Sequence, residues 1–202
     1  MIEAHPPALL VTGFGPFPGA PENPTAALIR ALADQAPGTY GAAAFKTVVL
    51  PTEFARSWST LKRLYRSFAP DIVVHFGVSV RAAEIRVERT ARNRLGRGRP
   101  DAVGVMPRRT QVRSSGPESL LVTLPVFDIS AALSAAGIAN VVSDDAGDYV
   151  CNATLYRSLA TFEGTPRRAG FIHVPPADVL PREELERAAH LVLRNATRIV
   201  GV

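Results

Sequence analysis

Cys151 is the only cysteine in the chain, and it follows SDDAGDY at the start of a segment, Val150 to Phe162, whose apolar spacing is helical. The first turn of a helix carries unpaired N–H groups and the positive end of the dipole. A thiol placed there is favoured as the thiolate, and the same N–H groups suit the oxyanion formed when sulfur attacks a carbonyl. Composition alone favours a plainer role, since a lone cysteine is more often a small buried hydrophobe. His173 lies in GFIHVPP, where an apolar strand meets an imidazole just before a rigid Val-Pro-Pro turn that would fix its direction. His5, His75 and His190 fall at the terminus, inside a strand and on a helix, and read as surface or satisfied core. A nucleophile and a base of this kind call for a third group to hold the imidazole. Glu88, Asp144 and Asp145 compete for that place. Glu88 shares the face of an alternating strand with Glu84 and Arg86, which by itself reads as a solvated charged edge.

These residues need a frame. Ala8 to Thr12 is an apolar run ending at Gly13, the pattern of a buried strand entering a loop, and Asn23 before Pro24 predicts the N-terminus of a first helix. Phe45 to Leu50 reads as a strand. Phe54, Trp58, Leu61, Tyr65 and Phe68 recur at helical steps, and Asp71 to Phe76 gives a further buried strand ending at Gly77. Ile85 and Val87 alternate with charged residues as in an extended strand. From Arg94 to Pro117 glycines and prolines leave too little periodicity for a core element, which predicts a long functional loop. Beyond it come a helix over Val126 to Ala136 stopped by Gly137, a strand over Asn140 to Ser143, the Cys151 helix and a strand over Phe171 to Val174. A final helix opened by Pro181 carries its stripe to Ile199 before Gly201. This alternation predicts one three-layer α/β/α domain over residues 1–202 with a mostly parallel or mixed central sheet, and functional groups at its strand ends near Gly13, Gly77, Asp144 and His173.

Composition narrows the function. At 202 residues and 47% hydrophobic content the chain can fill a full core, and one cysteine cannot close an internal disulfide, which suits a reducing, cytoplasmic compartment. MIEAHPPALLVTGF lacks a basic leader and a long apolar run, so neither a signal peptide nor a membrane span is expected. A net charge of +5 and the arginines 81, 86, 89, 92, 94, 97 and 99 raise nucleic acid as a partner. Glu84, Glu88 and Asp101 interrupt that run, it holds no stacking aromatic, and strand alternation splits it between faces, so no nucleic-acid partner is expected. GFGPFPG lacks the GK[ST] ending of a phosphate loop, and Pro16 and Pro18 remove donors that a phosphate would need. Phe14 and Phe17 instead suggest the wall of a small apolar pocket. No histidine or cysteine cluster has metal-ligand spacing, and no cofactor is expected.

Four segments, LLVTGFGPFPG with ENP, GVSVRAAEIRVERTARN, DDAGDYVCNATLY and GFIHVPP, together resemble the pyroglutamyl peptidase type I family in the family's order and over nearly the whole chain. The resemblance implies a cysteine exopeptidase with Glu88, Cys151 and His173 as its triad. It implies that hydrolysis of the amide after an N-terminal pyroglutamyl residue proceeds by thiolate attack and an acyl-enzyme. It further implies a lactam pocket lined by Phe14, Phe17 and Tyr149, with Asn23 as its polar residue and the backbone carbonyl of Val78 available to the lactam N–H. An arginine near the site is implied in the Arg94 to Arg99 loop, with the register open between Arg97 and Arg99. Peptides with N-terminal pyroglutamate are the implied partners, and a homo-oligomer, dimer or tetramer, the implied assembly.

Overall fold

The computed structural model describes residues 5–198. The end of the last helical stripe, Ile199 and Gly201, lies outside them. Eight strands, β1 (Ala8–Phe14), β2 (Ala44–Leu50), β3 (Ile72–Val78), β4 (Ile85–Glu88), β5 (Thr90–Arg92), β6 (Ser119–Leu121), β7 (Asn140–Ser143) and β8 (Arg168–Val174), are joined with five helices. The helices are α1 (Pro24–Ala31), α2 (Phe54–Ser67), α3 (Val126–Ala135), α4 (Val150–Phe162) and α5 (Arg182–Thr197). The main sheet has the order β2-β1-β3-β8-β4-β7. Its first four strands are parallel, β4 runs against β8, and β7 runs with β4, so the sheet is mixed.

Period-two patterning in the strands feeds two cores. Leu9 and Val11 turn to the side where α1, α3 and α5 pack, with Leu28, Ile129 and Val192 in the same cluster. Leu10 and Phe14 turn to the side of α2 and α4, with Leu61, Leu155 and Phe162. Three layers result, as the alternation of elements predicts.

Two strands run past the glycines that the sequence places at their ends, and for one physical reason. A Cβ on Gly13 would lie 2.6 Å from the Thr25 carbonyl oxygen and 2.6 Å from Ile29 Cγ1, so α1 packs directly on the β1 backbone. A Cβ on Gly77 would lie 2.6 Å from the Phe171 ring and 3.0 Å from Cys151 Sγ. Both glycines are close-approach positions inside strands.

The long segment after β5 contains turns but no regular element, and it is closed at its base. The β5–β6 hairpin, which the sequence does not signal, pairs Arg92 with Ser119. The Asn93 side chain takes the Arg113 N–H at 2.9 Å and donates to the Arg113 carbonyl at 2.8 Å. From within the loop, buried Asp101 accepts the Phe54 N–H at 3.1 Å and so caps α2, whose own Glu53 makes no side-chain cap.

His75 lies fully buried within this frame. His75 on β3 bonds Thr12 Oγ1 at 2.7 Å through Nδ1 and Ser158 Oγ at 3.0 Å through Nε2, tying β1 and β3 to α4. Burial holds its pKa down at about 3. In the unfolded chain the same imidazole takes its proton near 6.5, so between those values the unfolded state binds more protons and stability falls as pH falls. The contribution is complete above pH 6.5 and drops by about 2 kcal/mol by pH 5, at 1.36 kcal/mol per unit. Urea unfolding at pH 7 and pH 5 should show this loss in the wild type. It should be smaller in His75→Gln, whose amide can still meet both hydroxyls.

Candidate active site

Tyr149, in extended conformation, is the N-cap residue of α4, which makes Cys151 its second helical residue. The first helical bond runs from Ala153 N–H to the Tyr149 carbonyl, so the N–H groups of Val150, Cys151 and Asn152 precede the ladder. Cys151 is partly exposed. The helix start therefore brings together a reachable thiol, the positive end of a dipole and a set of N–H donors.

His173 is the penultimate residue of β8, beside Gly77 in the parallel ladder with β3. Its Nδ1 bonds Glu88 Oε1 at 2.8 Å, which leaves Nε2 for the thiol. The register of antiparallel β4 on β8 sets up this contact. Arg86 lies opposite His173 and Glu88 opposite Phe171, so Glu88 reaches the imidazole diagonally across one face of the sheet. The solvated edge suggested by the charge alternation is corrected here, because Glu88 is 0% exposed. The rival acids are engaged elsewhere. Asp144 holds Arg89 through two bonds of 2.7 and 2.6 Å and takes the Thr90 hydroxyl, while Asp145 lies 3.8 Å from Arg92 and 3.5 Å from Arg94.

Electrostatics follow from this packing. Burial disfavours the His173 imidazolium, but hydrogen bonds to Cys151 and Glu88 and the charges of both outweigh it and raise the pKa to about 9. The imidazole is thus favoured in its protonated form between the Cys151 sulfur and the Glu88 carboxyl group.

In front of these groups lies a cleft of about 470 Å³. Phe14, Phe17, Asn23, Val78 and Tyr149 all line it, together with Cys151 and His173. Phe14 stacks on Phe171 at 6.1 Å, and Phe17 tilts against Tyr149 at 5.8 Å. Asn23 accepts from the Thr25 N–H and hydroxyl and donates from Nδ2 to the Gly15 carbonyl at 3.1 Å. One amide hydrogen of Asn23 is left for a ligand.

The cleft also contains residues that motif reading did not single out. Arg99, not Arg97, reaches it, with its guanidinium 3.8 Å above the Tyr149 ring, whereas Arg97 donates to the Arg108 carbonyl. Arg81 and Arg86 line it as well. Asn152, next to the cysteine, is fully buried, accepts the Arg92 N–H at 2.8 Å and donates to the carbonyls of Arg92 and Arg94 at 2.8 and 2.9 Å. It fastens the root of the long loop to the helix carrying the thiol. Among the described residues no group of three or more His, Cys, Asp or Glu is placed to hold a metal ion, and no helix is long and apolar enough to cross a membrane.

The family model for pyroglutamyl peptidase matches residues 8–191. Pyrrolidone-carboxylate peptidase 1 of Ralstonia nicotianae is 37% identical over 198 residues, covering 97% of this chain and 89% of that protein. The pyrrolidone-carboxylate peptidase of Thermococcus litoralis is 35% identical over 172 residues, 83% of this chain and 76% of the relative. Among solved structures, the pyroglutamyl peptidase I of Bacillus amyloliquefaciens superposes with a TM-score of 0.87 at 26% identity, covering 96% of each chain. The Thermococcus litoralis pyrrolidone carboxyl peptidase superposes with 0.86 at 28% identity, over 97% of this chain and 100% of that one.

Replacing Asn152 with Ala leaves the Arg92 N–H and the Arg94 carbonyl without their side-chain partner, while the Arg92 carbonyl keeps the Arg94 N–H at 2.7 Å, at a cost of roughly 1 to 3 kcal/mol for each group left unpaired. Limited trypsin digestion should then cut the 94–117 segment, which offers Arg94, Arg97, Arg108, Arg109 and Arg113 as sites while Arg99 is protected by Pro100, several times faster than in the wild type.

Proposed function

The chain belongs to the pyroglutamyl peptidase family of cysteine peptidases, and from that premise we propose that it removes N-terminal pyroglutamate from peptides with Cys151 as nucleophile, His173 as acid and base and Glu88 as orienting carboxylate. The observation that carries the assignment is the single line of contacts from a buried carboxylate through the imidazole to a thiol at a helix start.

The Cys151 thiolate attacks the pyroglutamyl carbonyl, and the oxyanion forms against the free N–H groups at the start of α4. As the tetrahedral intermediate collapses, the C–N bond breaks and the His173 imidazolium gives its proton to the departing amine. The neutral imidazole then takes a proton from water, hydroxide attacks the thioester, and pyroglutamate leaves as the thiolate is restored. Glu88 keeps Nδ1 engaged throughout.

Pyroglutamate has no free α-amine, so its site needs apolar walls and partners for one N–H and one C=O. Phe14, Phe17 and Tyr149 supply the walls. The Val78 carbonyl and the remaining Asn23 amide hydrogen are assigned to the lactam. A ring without these polar groups would leave protein groups unpaired at roughly 1 to 3 kcal/mol each, which discriminates against proline-like rings.

We read residues 1–202 as one catalytic domain acting in the cytoplasm. The family match over 8–191 and one continuous main sheet support the first point, and a fold without disulfides supports the second. A homo-oligomer, dimer or tetramer, follows from the family resemblance. The exposed Val103, Val105 and Met106 of the long loop give apolar surface that a subunit contact would cover. Sedimentation of the wild type should give a mass two or four times that of the chain, and Val105→Asp should lower it.

Release of a chromophore from a pyroglutamyl amide under reductant tests the chemistry. Cys151→Ala should lose roughly 10⁴-fold or more in kcat/KM, and Glu88→Gln roughly 10² to 10⁴-fold. Because the Glu88 charge helps raise His173, the alkaline limb of the wild-type profile, expected near pH 9, should move to lower pH in Glu88→Gln. Full activity in Cys151→Ala would overturn the assigned mechanism.

A further inference from the structure

The Glu88 carboxylate is held by two cations on one oxygen. Oε1 bonds His173 Nδ1 at 2.8 Å and lies 3.5 Å from Arg86 Nε, while Oε2 is buried without a hydrogen-bond partner among the described residues. A carboxylate removed from water costs several kcal/mol unless an opposite charge compensates it. His173 compensates Glu88 only while it is protonated. Once the imidazolium has passed its proton to the departing amine, the acyl-enzyme holds a neutral imidazole, and the buried carboxylate must be balanced by something that does not titrate.

Arg86 has that property and the necessary geometry. A guanidinium stays charged through the working range of pH. Arg86 faces His173 in the β4–β8 ladder, and its Nη2 donates to Ser143 Oγ at 2.7 Å, the same oxygen that accepts the Asp145 N–H at 3.2 Å. Its direction is thus fixed from β7 and from the loop leading to Cys151. Other charged or titratable groups around the cleft are Cys151 and Tyr149 at the start of α4, Asp145 and Asp148 before it, Arg81 after β3 and Arg99 in the long loop. Asp145 is shared by Arg92 and Arg94, and Arg99 lies on Tyr149. Among the described residues, Glu88 makes ion pairs with His173 and Arg86 alone.

We propose that Arg86 is a positioning residue for the peptidase reaction, a permanent counter-charge that compensates the buried Glu88 and keeps it directed at His173 Nδ1 while the imidazole is neutral. The proposal rests on the assignment of Cys151, His173 and Glu88 made above. Removing a positive charge raises the pKa of every group near it, so Arg86→Met should move both limbs of the kcat/KM profile to higher pH, by about one unit, with kcat lowered roughly ten- to a hundredfold. Arg86→Lys keeps the charge without the fork to Ser143 and should return both limbs to their wild-type positions while recovering only part of kcat.

The experiment measures these profiles for the three proteins with a chromogenic pyroglutamyl amide, and in parallel the pH dependence of Cys151 alkylation by iodoacetamide, which needs no turnover. The expected result is an upward displacement in Arg86→Met, in both measurements, that Arg86→Lys reverses. A profile reduced in height with its limbs in place would overturn the proposal, as would an alkylation curve unmoved in both variants. A wild type that alkylates normally but does not cleave the amide would instead overturn the assigned activity, and the alkylation curves would still decide the role of Arg86.

Discussion

The structure depends on one carboxylate kept out of water. Glu88 is fully buried, and its Oε1 makes the 2.8 Å bond that fixes which nitrogen of His173 faces the thiol. Such a group is tolerable only where opposite charge is already in place. The β4–β8 pairing supplies that charge from the same short strand: Arg86 lies opposite His173, and Glu88, two residues on and on the same face, lies opposite Phe171. The strand whose alternating charge reads in sequence as a solvated edge is therefore the one that sets the electrostatics of the site.

The order of elements and the place of Cys151 at a helix start were legible because each had a local signal. The α4 range and the β7 range match the apolar spacing, and the Asn23–Pro24 cap is present with the Asn23 side chain on the Thr25 N–H. Glu88 had no such signal. Alternating charge is the same pattern whether a face meets water or a cleft, and only the place of β4 inside the sheet, between β8 and β7, decides it. For the same reason the duty of Asp101 was hidden, since it caps a helix that begins 47 residues earlier in the chain. The β5–β6 hairpin closes a loop too long for any turn rule to connect its two strands.

The arginine run shows how little net charge says without geometry. Arg89 is paired to Asp144, Arg92 and Arg94 to Asp145, Arg86 to Glu88 and Ser143, Arg97 to a carbonyl and Arg99 to an aromatic ring. A stretch that in sequence resembles a polyanion surface is in space a set of separate local contacts. Several of them hold the β7–α4 loop that delivers the thiol. The exposed pairs among them contribute little energy individually, so their value lies in direction.

Two histidines of this chain put the same point in a sharper form. His75 and His173 lie on neighbouring strands, both are buried, and both are held through their ring nitrogens, yet burial holds one near 3 while the other rises to about 9. Desolvation opposes the charged ring in each. The difference is in the partners: Thr12 and Ser158 are neutral hydroxyls that serve either form of the ring, whereas Glu88 and Cys151 offer negative charge that rewards the proton. Burial by itself makes a histidine structural. What sets His173 apart is a second buried charge, and β4 holds that charge in place with its own Arg86 beside it.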